Sequence, residues 1–415
     1  VKILQLSTYD TGGGAARACF RLHQALRQAG HCSAMRVAVA ASGDPWVQAP
    51  GSKPRQALAL LRSTASWWLS KPQKSPNSFT HSVAALPSRF DRYLNTFDAQ
   101  VLHLHWVQDE FISVEAIGRL RKPLVWTLHD SWPFCGSEHH PDGADDRRFR
   151  QGYRADNRPI DHGGCDLDRW TWCRKRRAWS RLLPRLQLVA PSRWMAEQVA
   201  SSALFSGVPC HVIPNAVPDA FRPLPRHLAR ELLGWPQHKP LLLFGAISGT
   251  SDFNKGFDLL QAALNGLSGL ESSPLVVVLG SQLAPSGLNW PVLPVARLHD
   301  DVSLALAYSA ADVVIVPSRL DNLPQIATEA QACGTPVVAF RQGGMVDAVR
   351  HGISGYLADP FDVADLAQGI QHVLLGRLAF WDFSKDQRLI RWRSRAVAQA
   401  HVELYREIAG NVGVS

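Results

Sequence analysis

The passage from Asp312 to Phe340 constrains the fold more than any other part of the chain. Asp312-Val-Val-Ile-Val-Pro317 is a short apolar run of the kind that lies inside a parallel sheet, buried on both faces. Pro336-Val-Val-Ala-Phe340 is a second such run. Between them stand a polar loop and a stretch of helical composition, so the unit reads strand, loop, helix, strand. Parallel strands need a crossover of this sort, and it is right-handed. The loop then sits beyond the C-terminal end of its strand, where open α/β sheets bind ligands. Asp321 in the loop and Glu329 in the helix are eight positions apart. A helix N-terminus there presents N–H groups to a phosphate, and a carboxylate one or two turns further in can grip a sugar or ribose diol.

The same pattern recurs along the chain. Apolar runs at residues 2–6, 31–40, 101–105, 124–129, 186–190 and 211–213 predict one sheet, and runs at 241–244, 275–279 and 313–316 predict a second. Between the two sets lies Pro214-Asn-Ala-Val-Pro-Asp-Ala-Phe-Arg-Pro223, rich in turn residues and read as a linker. Helices are expected at 15–29, at 57–69, from 193 behind the N-cap Ser192, at 257–267, 303–310 and 363–375, and in the basic tail from 387 to 408. Residues 133–180 read as a polar, charged insertion. Four loops follow predicted strands: Gly12-Gly13-Gly14, His129-Asp130, residues 245–255 and residues 321–325. Two sheets facing each other would bring all four to one cleft. The triple glycine permits close backbone approach to a ligand. It does not follow G-x-G-x-x-G, because Ala16 and Arg17 come next. Asp130 either orients His129 or caps a loop.

Charge narrows the partners. A net charge of +9 on 415 residues points to an anionic ligand or surface. Basic residues cluster with tryptophan in two places: Arg169 to Arg185 around Trp170, Trp172 and Trp179, and Lys53, Arg55, Arg62, Lys71 and Lys74 around Trp67-Trp68. Such segments suit the face of an anionic membrane; arginine stems lying over apolar packing are the alternative. No pattern of a nucleic-acid-binding module is present, so nucleic acid is not an expected partner. No run of eighteen apolar residues exists, and the first residues read as a strand rather than a signal peptide. Seven cysteines without regular pairing suit a reducing cytoplasm, with the inner membrane face as a peripheral contact. Cys135, His139, His140, His162, Cys165 and Cys173 are zinc-ligand types, but no C-x-x-C pair organises them, and no metal site is expected.

The spacing from Asp321 to Glu329 resembles the E-x7-E signature of glycosyltransferase family 4, the retaining nucleotide-sugar transferases with the two-domain GT-B fold. Aspartate takes the first acidic place here. Ala330-Gln-Ala-Cys-Gly-Thr-Pro-Val-Val-Ala-Phe340, Gly343-Gly-Met-Val-Asp347 and Gly352-Ile-Ser-Gly-Tyr-Leu357 are similar to the passages that follow it in the family. Pro214-Asn-Ala-Val217 is similar to its Pro-Asn-Gly-Val passage. The Asp-Asn-Leu-Pro form resembles a branch associated with exopolysaccharide and colanic-acid-type synthesis.

The resemblance implies an α/β fold of GT-B type. Its two Rossmann-like domains, 1–217 on the acceptor side and 218–386 on the donor side, face each other across a deep cleft, and a C-terminal helical segment, 387–415, returns to the first. It implies an enzyme that moves a sugar from a nucleotide-diphosphate sugar to a glycan or lipid-linked acceptor in surface-polysaccharide synthesis. At the matching positions His129 meets the donor sugar, Lys255 neutralises the diphosphate of the leaving nucleotide, and Asp321 is the first acidic residue; these three form the expected catalytic set. Gly13, Gly14, Asn322, Leu323, Gln325 and Glu329 are the expected donor-binding residues, with Glu329 holding the ribose hydroxyls. Pro324 has no N–H, so Leu323 and Gln325 must supply any backbone donors. The family's arginine after the strand-ending glycine is Ala246 here, and Arg17, Arg297 and Arg319 are the candidate replacements. No cofactor or metal is expected, the nucleotide sugar being a co-substrate. Competing readings are a GT-B-like nucleotide-sugar epimerase, a phosphorylase, an inactive transferase, and a basic nucleic-acid-binding protein without catalysis.

Overall fold

The computed structural model describes residues 1–141, 147–245, 252–267 and 272–410. They form two compact units, one comprising Val1–Pro214 and the chain from Val397 onward, the other Asn215–Ala396.

The first unit is built on β1 (Lys2–Tyr9), β2 (Cys32–Val39), β3 (Val47–Gln48), β5 (Val101–Leu104), β6 (Leu124–Thr127), β8 (Leu186–Ala190) and β9 (Cys210–Val212), with β4 (Gln73–Lys74) and β7 (Gly163–Gly164) forming a small antiparallel pair apart. The main sheet has the order β3-β2-β1-β5-β6-β8-β9 and is parallel throughout. Its two faces differ. Leu4, Leu6, Leu102, Leu104, Leu124, Trp126 and Leu188 pack into one large apolar core, where each buried leucine contributes about 1.5–3 kcal/mol. The other face carries Gln5, Ser33 and His103, buried polar side chains beneath the helices Gly14–Gln28 and Ser394–Gly410. The tail expected as one helix from 387 is two, Gln387–Trp392 and Ser394–Gly410, because Arg393 adopts an extended ψ of 139°.

The segment expected as a polar insertion is instead an extension of the core. Trp132, Phe134, Phe149, Tyr153, Trp172 and Trp179 are buried in it, and Trp126 meets Trp179 edge-on at 5.3 Å. This corrects the interfacial reading of the helix Leu167–Trp179. Its Trp172, Lys175 and Trp179 face inward, and Arg174 pairs with Glu115 at 2.7 Å; Trp170 alone of its tryptophans is exposed. The Lys175 ammonium is fully buried. It donates to the carbonyls of Trp132, Cys135 (3.1 Å) and Gly136 (2.7 Å) and lies 3.6 Å from the Trp132 ring.

The second tryptophan-rich segment is the helix Lys53–Ser70, longer than expected, with Pro54 in its first turn where a missing N–H costs nothing. Arg62 does not join its outer face. It turns inward to the carbonyls of Leu86, Pro87 and Glu110. Leu58, Leu60, Leu61, Trp67 and Trp68 remain exposed, Leu61 and Trp68 each to 65%. Among the described residues no helix is long and apolar enough to cross a membrane.

The second unit carries β10 (Leu241–Gly245), β11 (Leu275–Leu279), β12 (Val292–Val295), β13 (Val313–Val316), β14 (Val337–Phe340) and β15 (Gly355–Ala358) in the order β12-β11-β10-β13-β14-β15, again all parallel. Here both faces are apolar. Leu241, Leu243, Val314 and Val316 enter one core, and Leu242, Phe244, Val313 and Ile315 the other.

The three carbonyls around Lys175 belong to the buried residues Trp132, Cys135 and Gly136. Lys175→Met would leave them buried without their donor, at roughly 1–3 kcal/mol for each unsatisfied group. We expect urea denaturation of this variant to show a loss of about 3 kcal/mol or more, against less than about 0.5 kcal/mol for a substitution at the exposed Arg177.

Candidate functional site

In the second unit the C-terminal ends of β10, β13 and β14 carry loops that are laced together. Asn254 does most of the lacing: its Nδ2 donates to the Leu320 carbonyl at 2.8 Å, its Oδ1 accepts from the Leu320 N–H at 3.0 Å, and its own carbonyl accepts from Arg319 N–H at 2.8 Å. Gly256 and Gly343 have positive φ angles of 66° and 58°. A Cβ at Gly256 would strike the Pro317 carbonyl oxygen, and one at Gly343 the Asp321 carbonyl oxygen. The Gly344 N–H donates to that same Asp321 oxygen at 2.8 Å. The loops after β10 and β14 therefore hold the segment from Pro317 to Asp321 between them.

Lys255 and Asp321, two members of the expected catalytic set, are bonded to each other. The ammonium lies 2.9 and 3.1 Å from the two carboxylate oxygens. Burial opposes the charged lysine, but the Asp321 carboxylate outweighs it and raises the Lys255 pKa. Asn322 and Leu323 are buried directly after Asp321, and Gln325, half-buried, opens the helix Gln325–Ala332. Its N-cap residue is Pro324, whose side chain makes no cap hydrogen bond. Glu329 is only 1% exposed, and its Oε2 accepts from the Tyr308 hydroxyl at 2.8 Å.

Of the candidate replacement cations, Arg319 is already committed. It is paired with Asp258 at 2.5 and 2.9 Å, bonded to the Phe253 carbonyl, and stacked 3.8 Å from the Phe253 ring. Arg297 stands two residues beyond β12, half-buried, its Nε without a hydrogen-bond partner among the described residues. Arg17 belongs to the first unit, on the helix Gly14–Gln28. Ala246 lies outside the described residues.

In the first unit, Gly13 (φ 101°) turns the chain from β1 into the helix that begins at Gly14. Asp10, at the end of β1, accepts from the N–H groups of Ala41 and Ser42 and so holds the loop after β2 beside it. Burial opposes the Asp10 carboxylate, and these N–H donors bring its pKa below the usual range. His129 follows β6. Its Nε2 lies 3.0 Å from His105 Nδ1, and burial pushes its pKa down to about 4, so the imidazole is neutral at physiological pH.

Asp130 does not orient His129. Its carboxylate binds His139 Nδ1 at 2.6 Å and the Trp106 indole N–H at 2.9 Å, and accepts from the Trp132 N–H at 3.1 Å. His139 Nε2 in turn lies 2.9 Å from Ser82 Oγ. The set has the order of a nucleophile triad, but Ser82 is 0% exposed and cannot meet a substrate. Among the described residues no group of three or more His, Cys, Asp or Glu side chains is placed to hold a metal ion.

Comparison with known proteins now bears on this geometry. A model described as Glycosyltransferase Family 4 matches residues 12–221, more than half of the chain, and one described as Glycosyl transferases group 1 matches residues 241–375. The chain belongs to glycosyltransferase family 4. D-inositol 3-phosphate glycosyltransferase 2 of Catenulispora acidiphila is 33% identical over 213 residues, covering 47% of this chain and 49% of that protein. The chain thus spans about half the length of the curated relatives it matches. Sucrose-phosphate synthase of Thermosynechococcus elongatus superposes over 99% of this chain and 100% of its own, with a TM-score of 0.64 and 18% identity. HepE of Anabaena, in complex with UDP-glucose, covers 100% of both chains with a TM-score of 0.58 and 16% identity. These likenesses give the GT-B type of fold, two Rossmann-like parallel sheets.

Sequence reading missed Asn254, Tyr308 and His105. Only His105 left a signal: the alternation in Val101-Leu-His-Leu-His105 puts His103 and His105 on one side of a strand. Because the Asp321 loop rests on two glycines with positive φ, we expect Gly343→Ala to lower the unfolding midpoint in a thermal melt. The cost should be about 1–3 kcal/mol from the strained backbone, raised further by the clash with the Asp321 carbonyl oxygen, whereas Gly376→Ala, with the same sign of φ but open space around it, carries the strain alone and should cost less.

Proposed function

We propose that the protein is a retaining glycosyltransferase that moves a sugar from a nucleotide-diphosphate sugar to a glycan or lipid-linked acceptor, in exopolysaccharide-type surface-polysaccharide synthesis. The observation that carries the reading is the Lys255–Asp321 pair: a fixed cation and a fixed carboxylate in loops beyond β10 and β13. In the reaction the bond from the anomeric carbon to the leaving phosphate oxygen breaks, and negative charge builds on the diphosphate. Lys255 offsets that charge where it develops. In the absence of donor, Asp321 is the counter-ion of Lys255, and an arriving diphosphate takes over that role and releases the carboxylate toward the sugar. The acceptor oxygen forms its bond to the anomeric carbon on the face the nucleotide leaves, and its proton passes to the departing phosphate oxygen. No protein nucleophile is then needed.

Leu323 and Gln325 supply backbone donors to phosphate, with Asn322 beside them, and Gly13 and Gly14 allow close approach at the first unit's loop. Glu329 holds the ribose hydroxyls, its carboxylate rotamer set by Tyr308. His129 contacts a hydroxyl of the donor sugar. The nucleotide sugar is a co-substrate, and no metal or other cofactor takes part. The complex of HepE with UDP-glucose supports a nucleotide-sugar donor by likeness of fold.

Thermal-shift measurements against UDP-, GDP- and ADP-sugars test the reading; stabilisation by none of them would remove its main support. Lys255→Ala is expected to lower turnover by roughly 10²–10³-fold, the range for loss of one group that stabilises developing charge. Glu329→Ala is expected to weaken donor affinity instead. Unchanged affinity and turnover in both variants would overturn the site assignment.

A lipid-linked acceptor requires contact with a membrane surface. The helix Lys53–Ser70 suits one, because its exposed leucines and tryptophans stand with the exposed Lys53, Lys71 and Lys74. Lys71 Nζ sits 3.8 Å from the Trp67 ring, pairing cation and apolar surface in one contact. Flotation with vesicles containing anionic lipid should recover the wild-type protein with the vesicles, and Leu61→Glu with Trp68→Glu in the soluble fraction. Wild-type protein found only in the soluble fraction rules the contact out.

A further inference from the structure

Beneath the helix Gly14–Gln28, a line of buried polar groups runs from the loop after β2 to His129. Asp44 Oδ2 lies 3.9 Å from His23 Nε2. His23 Nδ1 lies 2.9 Å from Ser33 Oγ, and Gln5 Nε2 donates to the same Oγ at 3.4 Å. Gln5 Oε1 lies 2.7 Å from His105 Nε2 and 3.7 Å from the Cys19 thiol. His105 Nδ1 lies 3.0 Å from His129 Nε2. All the groups from His23 to His105 are buried.

The Asp44 end of the line sets the sense of these bonds. His23 Nε2 has no hydrogen-bond partner among the described residues, and the Asp44 carboxylate faces it at 3.9 Å. A lone pair aimed at a carboxylate is repelled and an N–H is attracted, so Nε2 carries the ring proton. His23 Nδ1 is then an acceptor, and the Ser33 hydroxyl donates to it. That leaves the Ser33 oxygen to accept from the Gln5 amide nitrogen, which aims Gln5 Oε1 at His105. The Cys19 thiol fits the same amide orientation, its S–H donating to Gln5 Oε1 at 3.7 Å. His105 therefore carries its proton on Nε2 and presents a lone pair at Nδ1. His129 must donate to that lone pair from Nε2. Each ring holds one proton: burial pushes His23 and His129 down to about 4, and His105 well below its ordinary value.

We propose that His23, Ser33, Gln5 and His105 are positioning residues that lock His129 in its Nε2–H tautomer, so that its bare Nδ1 is a hydrogen-bond acceptor for a sugar hydroxyl. An imidazole that faced a ligand with N–H would select acceptor groups. One that faces it with a lone pair selects hydroxyl and amine donors, which suits a sugar and not a phosphate. The consequence for sugar binding rests on the role proposed above for His129; the tautomer itself does not.

The test is long-range ¹H–¹⁵N correlation spectroscopy on the full chain, labelled at histidine with ¹⁵N, at neutral pH and without substrate. The His129→Ala spectrum assigns the ring. The wild-type protein should show His129 protonated at Nε2, with Nδ1 at the position of an unprotonated nitrogen. Gln5→Met cuts the line above His105, and His105→Phe removes the last acceptor. Each should shift the two His129 nitrogens toward the averaged positions of exchanging tautomers, with a backbone amide spectrum confirming a folded chain. A wild-type His129 protonated at Nδ1 would overturn the proposal whatever the variants do. So would a single Nε2–H tautomer retained in both folded variants. Neither outcome touches the proposed reaction, which stands or falls on donor binding.

Discussion

Parallel pairing is the constraint on which everything else in this protein depends. Within both large sheets every paired strand runs the same way. Consecutive strands must then be joined across a face, and the chain returns to the same edge each time. All C-terminal strand ends collect on one edge of each sheet, and the connecting loops collect with them. Residues as far apart in sequence as Lys255 and Asp321 become neighbours because β10 and β13 are adjacent in register. The sheet thus acts as a frame that places chemistry by topology, while the apolar side chains within it supply cohesion.

Cohesion alone would leave the loops free to wander. What fixes them in the second unit is a dense set of short-range bonds around Asn254, and two positions where only glycine fits. The Lys255–Asp321 pair is the charged member of that set. An ion pair that is only part-buried adds little to stability, because desolvation and side-chain ordering offset the attraction. Its value is better understood as placement. Each charge holds the other in place, and on the proposed reading a diphosphate replaces the carboxylate as counter-ion without leaving the lysine unpaired.

The sheets were legible because their strands are continuous apolar runs bounded by turn residues. β12 and β15 escaped notice for physical reasons: Pro294 interrupts an edge strand that tolerates it, and β15 starts at Gly355, packed so tightly on Val337 that no side chain fits. Candidate residues Lys255, Asp321 and Glu329 could be singled out one by one, but their partners could not. Asn254 and Tyr308 act through long-range contacts that no local pattern encodes, and for His105 only the side of its strand was legible. The misreading of the helix Leu167–Trp179 is different. Trp172, Lys175 and Trp179 recur at helical spacing on one face, and that face is buried. The periodicity was there to be read, but the density of arginines masked it, since each arginine on the other faces finds carbonyls, carboxylates or solvent.

The two units handle charge in opposite ways. In the second, two of the candidate site residues, Lys255 and Asp321, are a paired cation and carboxylate. In the first, the groups between Asp44 and the site are uncharged: the amide and the hydroxyl by nature, the imidazoles of His23, His105 and His129 because burial lowers their pKa. A neutral chain carries no net field to the site. What it transmits is direction, since each hydrogen bond fixes which end of the next group is donor and which is acceptor. That is the information needed to bind an uncharged sugar, whose hydroxyls differ only in position and in the sense of their bonds. A diphosphate needs no such refinement, because any well-placed cation attracts it. On the proposed reading, charge and bond direction are therefore separate tasks. The low dielectric that makes a buried ion costly is the same environment in which a fixed chain of neutral dipoles works best.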